Sequence, residues 1–394
     1  MKHSPQLPLH TLRPCFIAII LIGACAGNSG ATGQKGLKKQ ASGTVLAAGG
    51  SAAAATLVMP STPATSATGA AYASRPEAMA FAADIAQRRG IDPDWAAQTL
   101  GQARFSATAA RLMQPAASPG AKNWALYRSR NVEPIRIGAG VRYWQANRAT
   151  LEKAEKTYGV PAAIIVGIIG VETIYGRDTG NFRVLDALAT LAFDFPANHP
   201  RAQQRSDFFK GEIESFLQLQ SRQGASPQAA LGVRGSYAGA MGQPQFMPSS
   251  WQKYAVDFDG DGVIDLWSSA ADTIGSVAHY LQAFGWQPGV ATHYPVSFDT
   301  TRLDMPALME PDILPTFSSA EFAAKGAVLQ NQDFQNHRGL LALIELRNGL
   351  DAPVSYVAGT QNFYAITRYN WSSYYAMAVI ELGQAVASQM QMQR

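Results

Sequence analysis

The chain has 394 residues, enough for one large or two moderate domains, and 47% hydrophobic residues allow a sizeable core. Only 15% of residues are charged, below the roughly 25% usual for soluble domains. The net charge of +4 is spread along the chain without a basic stripe, which argues against nucleic-acid binding.

Both cysteines, Cys15 and Cys25, fall in the first 25 residues, so the body has neither disulfides nor thiolate metal sites. The N-terminus reads as an export signal, with Lys2 and Arg13 ahead of the apolar run 16–22. Ile22-Gly23-Ala24-Cys25 resembles the bacterial lipobox, in which the cysteine is diacylated and becomes the mature N-terminus. Ala26 directly after it fits retention at the outer membrane. Ordinary cleavage beside Ala24 and Ala26, giving a soluble periplasmic protein, and an uncleaved anchor are the alternatives. Residues 26–74 are mostly Ala, Gly, Ser and Thr, the composition of a flexible linker. A tether of that length spans roughly 40 Å root-mean-square.

The folded region is expected over 75–390, beginning near Arg75. A helix over 79–89 ends at Gly90, and Asp92-Pro93 opens another over 95–102 with Asp92 as its cap. Helical pattern continues over 121–130 and 141–158, and Gly159 ends it. Pro161 suits the first turn of the next helix, which is apolar on every face as in a buried core element. Gly167 and Gly170 would let a neighbouring helix approach closely, and the run is too short to cross a bilayer. Glu172 is the first charge after Pro161 and falls near the C-terminal end of this helix. Desolvation and the negative end of the helix dipole both disfavour its ionised form, which suits a general acid. Spacing alone is equally compatible with a structural helix end.

Helices follow over 185–192 and 206–223. Next comes a cluster rich in small residues, 234–250, in which Ser236 and Gln245 offer hydroxyl and amide hydrogen bonds. By itself this stretch also reads as a Gly-rich turn before a helix. Residues 257–265 carry acidic side chains at positions 1, 3, 5 and 9 and glycine at position 6 of an EF-hand-like loop, 257–272. Position 12 is Ser268 instead of the usual Glu. Beyond Trp286, alternation over 291–298, 340–346 and 354–357 marks a small β-containing unit, about 287–358. Helices over 362–365 and 372–387 close the chain. The class is mainly α (α+β), without internal repeats.

Glu172-Thr173-Ile174-Tyr175-Gly176 and the 234–250 cluster together resemble the lytic murein transglycosylase B family. The match continues in order through 257–262, Ile274-Gly275-Ser276-Val277, 363–370 and 374–379, covering about 75–390. The resemblance implies a lysozyme-like catalytic core with a helical domain and a small β domain. It implies cleavage of the β-1,4 bond between N-acetylmuramic acid and N-acetylglucosamine without water, leaving a 1,6-anhydro ring. Glu172 would be the single acid and base, and no cofactor is needed for the chemistry. Tyr127, Ser236, Gln245, Tyr369, Asn370 and Tyr375 match sugar-binding positions, and Arg205 corresponds to a basic residue facing the stem peptide. Asp257, Asp259, Asp261, the Val263 carbonyl and Asp272 match a structural Ca2+ site. Asp178 and Asp186 match no catalytic position and are read as structural. Peptidoglycan strands would be the partner, with Cys25 holding the protein at the outer membrane facing the periplasm. The competing readings are a hydrolytic muramidase and a non-catalytic glycan-binding envelope lipoprotein.

Overall fold

The computed structural model describes residues 69–114, 122–330, 337–349 and 352–393. The export signal, Cys25 and linker residues 26–68 lie outside the described residues. The last linker residues are already packed. Tyr72 is buried and its hydroxyl donates to Asp194 Oδ2 at 2.6 Å, so the fold starts slightly ahead of Arg75.

The Glu172 helix spans Ala162–Thr173 and lies within the larger hydrophobic cluster, where Ile165, Val166, Ile168 and Ile169 are fully buried. Each such side chain contributes about 1.5–3 kcal/mol relative to exposure. Pro161 sits just outside the helix with extended ψ (139°), one position earlier than the sequence predicts. The expected close approach is made by the C-terminal helix Ser373–Met392. A Cβ on Gly167 would lie 2.2 Å from the Val379 carbonyl, and one on Gly383 would lie 2.1 Å from that of Ala163. The two backbones therefore nearly touch, which is possible only without side chains at those points.

The predicted 141–158 helix is two helices, Pro134–Ala146 and Arg148–Tyr158, broken at Asn147. The Asn147 side chain donates back to the Tyr143 carbonyl at 2.9 Å, the kind of local bond with which asparagine competes against the helix ladder. The other expected helices appear as Pro76–Arg89, Pro93–Gly101 capped by Asp92, Trp124–Asn131, Val184–Phe193, Ala202–Arg222 and Gln361–Thr367. The turn at 234–250 does lead into a helix, Pro248–Tyr254, and a further one spans Ala270–Ala283. Among the described residues, no single helix is long and apolar enough to cross a membrane.

The β unit is a four-stranded antiparallel sheet in the order Ala327–Leu329, His293–Phe298, Ser355–Gly359, Ala342–Leu346. Three of these strands were anticipated; Ala327–Leu329, with only three residues, gave no alternation to detect. The unit has its own small core around Leu308, Phe322, Leu341 and Leu343. A second, unexpected ladder pairs Phe182 with Gly235 and Arg183 with Arg234. It fastens the stretch after Glu172 to the Ser236 cluster, and a Cβ on Gly180 would lie 2.3 Å from the Gly235 carbonyl.

Candidate active site

Glu172 occupies the last turn of its helix, which ends in a tight left-handed reversal. Ile174 (φ 52°), Tyr175 (φ 59°) and Gly176 (φ 84°) are consecutive residues with positive φ. A β-branched residue in this region is strained, and such strain persists only where the surroundings impose it. Here they do. Ile174 and Tyr175 donate their N–H groups to the Gly170 and Ile169 carbonyls, closing the helix end. The Thr173 hydroxyl donates to the Gln243 carbonyl at 2.8 Å and accepts the Gly176 N–H at 3.0 Å. The Tyr175 hydroxyl is seated between Gly140 and Gly170, where added Cβ atoms would lie 2.3 and 2.4 Å from it.

The Glu172 side chain keeps some solvent-accessible surface, yet its carboxyl is surrounded closely enough for desolvation to raise its pKa to about 7. The Tyr375 hydroxyl opposes this by donating to Oε1 at 2.6 Å. Tyr127, Tyr280, Tyr369 and Tyr375 all feel the Glu172 charge, so the carboxyl faces a wall of phenols. Tyr369 stacks on Tyr375 with ring centroids 6.3 Å apart and planes at 16°. Tyr369 donates its hydroxyl to the Pro244 carbonyl. Tyr127 packs against Trp124 and Tyr374. Flat apolar faces with polar rims suit pyranose rings.

The other expected sugar-binding residues are placed less uniformly. Gln245 has φ 50°, and its amide nitrogen donates to the Thr179 and Gly242 carbonyls, both at 3.0 Å. That spends the amide donors on the loop itself. Ser236 is buried and its Oγ accepts the N–H groups of Ala238 and Ala240, so its acceptor side serves its own turn. Asn370 holds a buried Oδ1 that no donor among the described residues meets, an acceptor suited to a ligand hydroxyl or amide.

Sequence reasoning missed three supports. Tyr280 donates to the Arg368 carbonyl at 2.6 Å and packs its ring 4.8 Å from Tyr369. Gln243 is buried and takes the Leu266 carbonyl through its own N–H at 2.8 Å. Glu212, from the distant helix Ala202–Arg222, is buried and accepts both the N–H (2.9 Å) and the hydroxyl (2.7 Å) of Ser249. It thereby caps Pro248–Tyr254, whose own cap residue Met247 has no side-chain acceptor in place, and steadies the segment carrying Gln245. Only a resolved three-dimensional contact reveals such a partner, since Glu212 precedes Ser249 by 37 positions.

Asp186 is buried, accepts the Arg104 N–H at 2.8 Å and lies 3.4 Å from Arg183; this is a structural role. Asp178 is exposed. Arg205 is buried beside Arg201 and Tyr237, and burial lowers its pKa.

In the acidic loop, Asp257, Asp259 and Asp272 bring carboxylate oxygens within 4.8 Å of one another. Asp261 is not among those three carboxylates. The Asp261 carboxylate instead accepts the Val263 N–H at 2.8 Å, a local turn that draws it away, and the Val263 side chain is exposed. Asp272, the most buried of the three, also accepts the N–H groups of Phe258 and Asp265. An all-oxygen donor set of this kind fits a hard divalent cation such as Ca2+. Among the described residues this is the only such group of His, Cys, Asp and Glu.

Two surface pockets are lined by Leu219, Trp251 and Val263 and by Arg128, His293 and Glu381; neither includes Glu172.

The profile of the transglycosylase SLT domain matches residues 73–384. Membrane-bound lytic murein transglycosylase B of Escherichia coli (strain K12) is 40% identical over 329 residues, which are 81% of this chain and 85% of that protein. The solved structure of the Escherichia coli lytic transglycosylase SLT35 with bulgecin A is 40% identical, has a TM-score of 0.71, and covers 82% of this chain and 96% of its own. A structure of SLT35 in complex with calcium matches with a TM-score of 0.70 at 40% identity, covering 82% of this chain and 96% of that one. The mainly helical architecture with small sheets agrees with these relatives. On the length and identity of these matches, the chain belongs to the transglycosylase SLT domain family.

Proposed function

We propose that this protein is a lytic transglycosylase that cleaves the β-1,4 bond between N-acetylmuramic acid and N-acetylglucosamine in peptidoglycan. The observation that carries the mechanism is a lone carboxyl, Glu172, with its pKa raised to about 7 among phenols. A protonated Glu172 gives its proton to the glycosidic oxygen as the bond to muramyl C1 breaks. The carboxylate then takes the proton from the muramyl C6 hydroxyl as O6 bonds to C1, closing the 1,6-anhydro ring. The proton count balances and no water enters. One group serves both steps because a pKa near neutrality leaves either form accessible.

Tyr375 steadies the carboxylate stage through its hydrogen bond to Oε1. Tyr127 and Tyr369 offer ring faces to the sugars. Asn370 Oδ1 and the Gln245 carbonyl oxygen accept from hydroxyl or N-acetyl groups, and the Ser236 hydroxyl hydrogen remains to donate. A retaining hydrolase normally needs a second carboxylate roughly 5 Å from the first. Asp186 is committed to Arg104 and Arg183, which favours the water-free route. Asp257, Asp259 and Asp272 would hold a calcium ion, which when bound offsets their mutual repulsion and stiffens the loop ahead of Ala270–Ala283. The Val263 carbonyl is a further oxygen donor, and Asp261 would join by giving up the Val263 N–H. The protein works in the cell envelope, with Cys25 as the lipid attachment point at the outer membrane.

Mass spectrometry of digested peptidoglycan tests the reading: 1,6-anhydromuramyl ends are expected, and reducing muramyl ends would establish hydrolysis instead. Glu172→Gln should abolish cleavage, and parent-like release would remove Glu172 from the mechanism. Intact mass of protein from the membrane fraction tests acylation at Cys25.

A further inference from the structure

Arg136 lies in the first turn of Pro134–Ala146, half-buried between two helix ends. Its Nε donates to the Gly170 carbonyl at 2.9 Å, at the C-terminal end of the Glu172 helix. Its Nη1 donates to the Arg130 carbonyl at 2.6 Å, at the C-terminal end of Trp124–Asn131, the helix that carries Tyr127. Both carbonyls belong to last turns, where backbone acceptors lack intrahelical partners or share them, and where the helix dipole is negative. One planar cation thus ties together the ends of two helices that approach the site from different parts of the chain. The Glu133 carboxylate holds the backbone of this turn by accepting the N–H groups of Ile135 and Arg136, both at 2.7 Å. Tyr127, Tyr175, Glu133 and Asp178 are the titratable neighbours of the guanidinium.

We propose that Arg136 is a positioning residue that sets the separation between the Tyr127 helix and the Glu172 helix, and so the fit of a muramyl–glucosaminyl unit between phenol and carboxyl. It acts without touching the reacting atoms. The fork geometry matters, because a guanidinium presents separate, rigidly spaced donors to the two carbonyls and an ammonium presents one nitrogen. Displacements of about 1 Å at a site of this kind cost up to about 100-fold in rate. This inference rests on the transglycosylase reading above.

The test is a double-mutant cycle on the full chain, with a soluble N-acetylglucosaminyl–N-acetylmuramyl oligomer as substrate. Arg136→Met is expected to lower kcat/KM by about 10- to 100-fold, chiefly through KM. In a Tyr127→Ala background the same substitution should cost less than about 3-fold, because the helix it positions no longer carries the contact. An equal loss in both backgrounds overturns the proposal, as does parent-like kcat/KM in Arg136→Met. If Arg136→Met fails to fold, Arg136→Lys decides: a loss of about 3- to 10-fold that shrinks beside Tyr127→Ala supports the bridge, and parent-like kinetics overturn it. If the parent protein itself cleaves none of the oligomer, the transglycosylase reading fails first, and that result is distinct from either outcome of the cycle.

Discussion

Tyr375→Phe isolates the hydrogen bond that works against desolvation at Glu172. Tyr375 is 2% exposed, and its hydroxyl reaches Glu172 Oε1 at 2.6 Å. Phenylalanine keeps the ring and its stacking on Tyr369 while removing only the donor. A hydrogen bond to an ionised group is worth about 1.5–3 kcal/mol. At 1.36 kcal/mol per pH unit, its loss moves the Glu172 pKa upward from about 7 by about one to two pH units. Residual solvent access at Glu172 screens the interaction and favours the lower half of that range. In the proposed mechanism the free enzyme carries a protonated Glu172 to begin, so the alkaline limb of kcat/KM against pH should shift upward. The assay counts anhydromuramyl ends released between pH 5 and pH 10, and carboxyl-labelled NMR titration of Glu172 covers the case of a slow variant. An alkaline limb that stays in place or moves down would refute the reasoning, because it would mean that Tyr375 does not stabilise the carboxylate.

Other consequences follow from the same contacts. Glu172 has a folded pKa raised from 4.5 to about 7, so its contribution to stability is complete below pH 4.5 and is lost as pH rises through 7. Glu172→Gln should therefore raise Tm at pH 8 by the equivalent of ~1–3 kcal/mol and change it little at pH 4, as followed by calorimetry at both pH values. Gly167→Ala pushes a methyl to 2.2 Å from the Val379 carbonyl and should destabilise by about 1–3 kcal/mol in urea unfolding, whereas Gly211→Ala, with open space around it, should not. Calcium at about 100 times its Kd should stabilise by about 2.7 kcal/mol in thermal unfolding, and Asp259→Asn should remove that gain while leaving glycan cleavage at 25 °C unchanged.

Much of this protein is written locally. The uncharged run from Pro161 to Val171 is apolar on all sides, which only a buried helix tolerates, and glycines at 167 and 170 announce a close neighbour. Asp92 before Pro93 and Gly90 after Arg89 mark helix boundaries that the structure reproduces. Burial of Glu172 and the upward direction of its pKa follow from the same run. Local pattern failed where the determinant was a single side chain or a short element. Asn147 breaks a helix through one back-bond, and the three-residue strand Ala327–Leu329 is too short to show alternation.

What only the tertiary structure decided is the company Glu172 keeps. Tyr375 reaches it across 203 positions, Thr173 is tied to Gln243 across 70, and Glu212 caps a helix 37 residues away. None of these pairs has a periodicity or spacing that a one-dimensional reading can register, since each depends on how separate helices cross. The sequence by itself determined that an acid would stand at the end of a buried helix; the packing of Ser373–Met392 against Ala162–Thr173 decided which hydroxyl would hold it. The physical reason is range. Apolar periodicity and a neighbouring cap such as Asp92 are set within a few residues of the chain, whereas a hydrogen bond of 2.6 Å between Tyr375 and Glu172 exists only after distant backbones have come to rest.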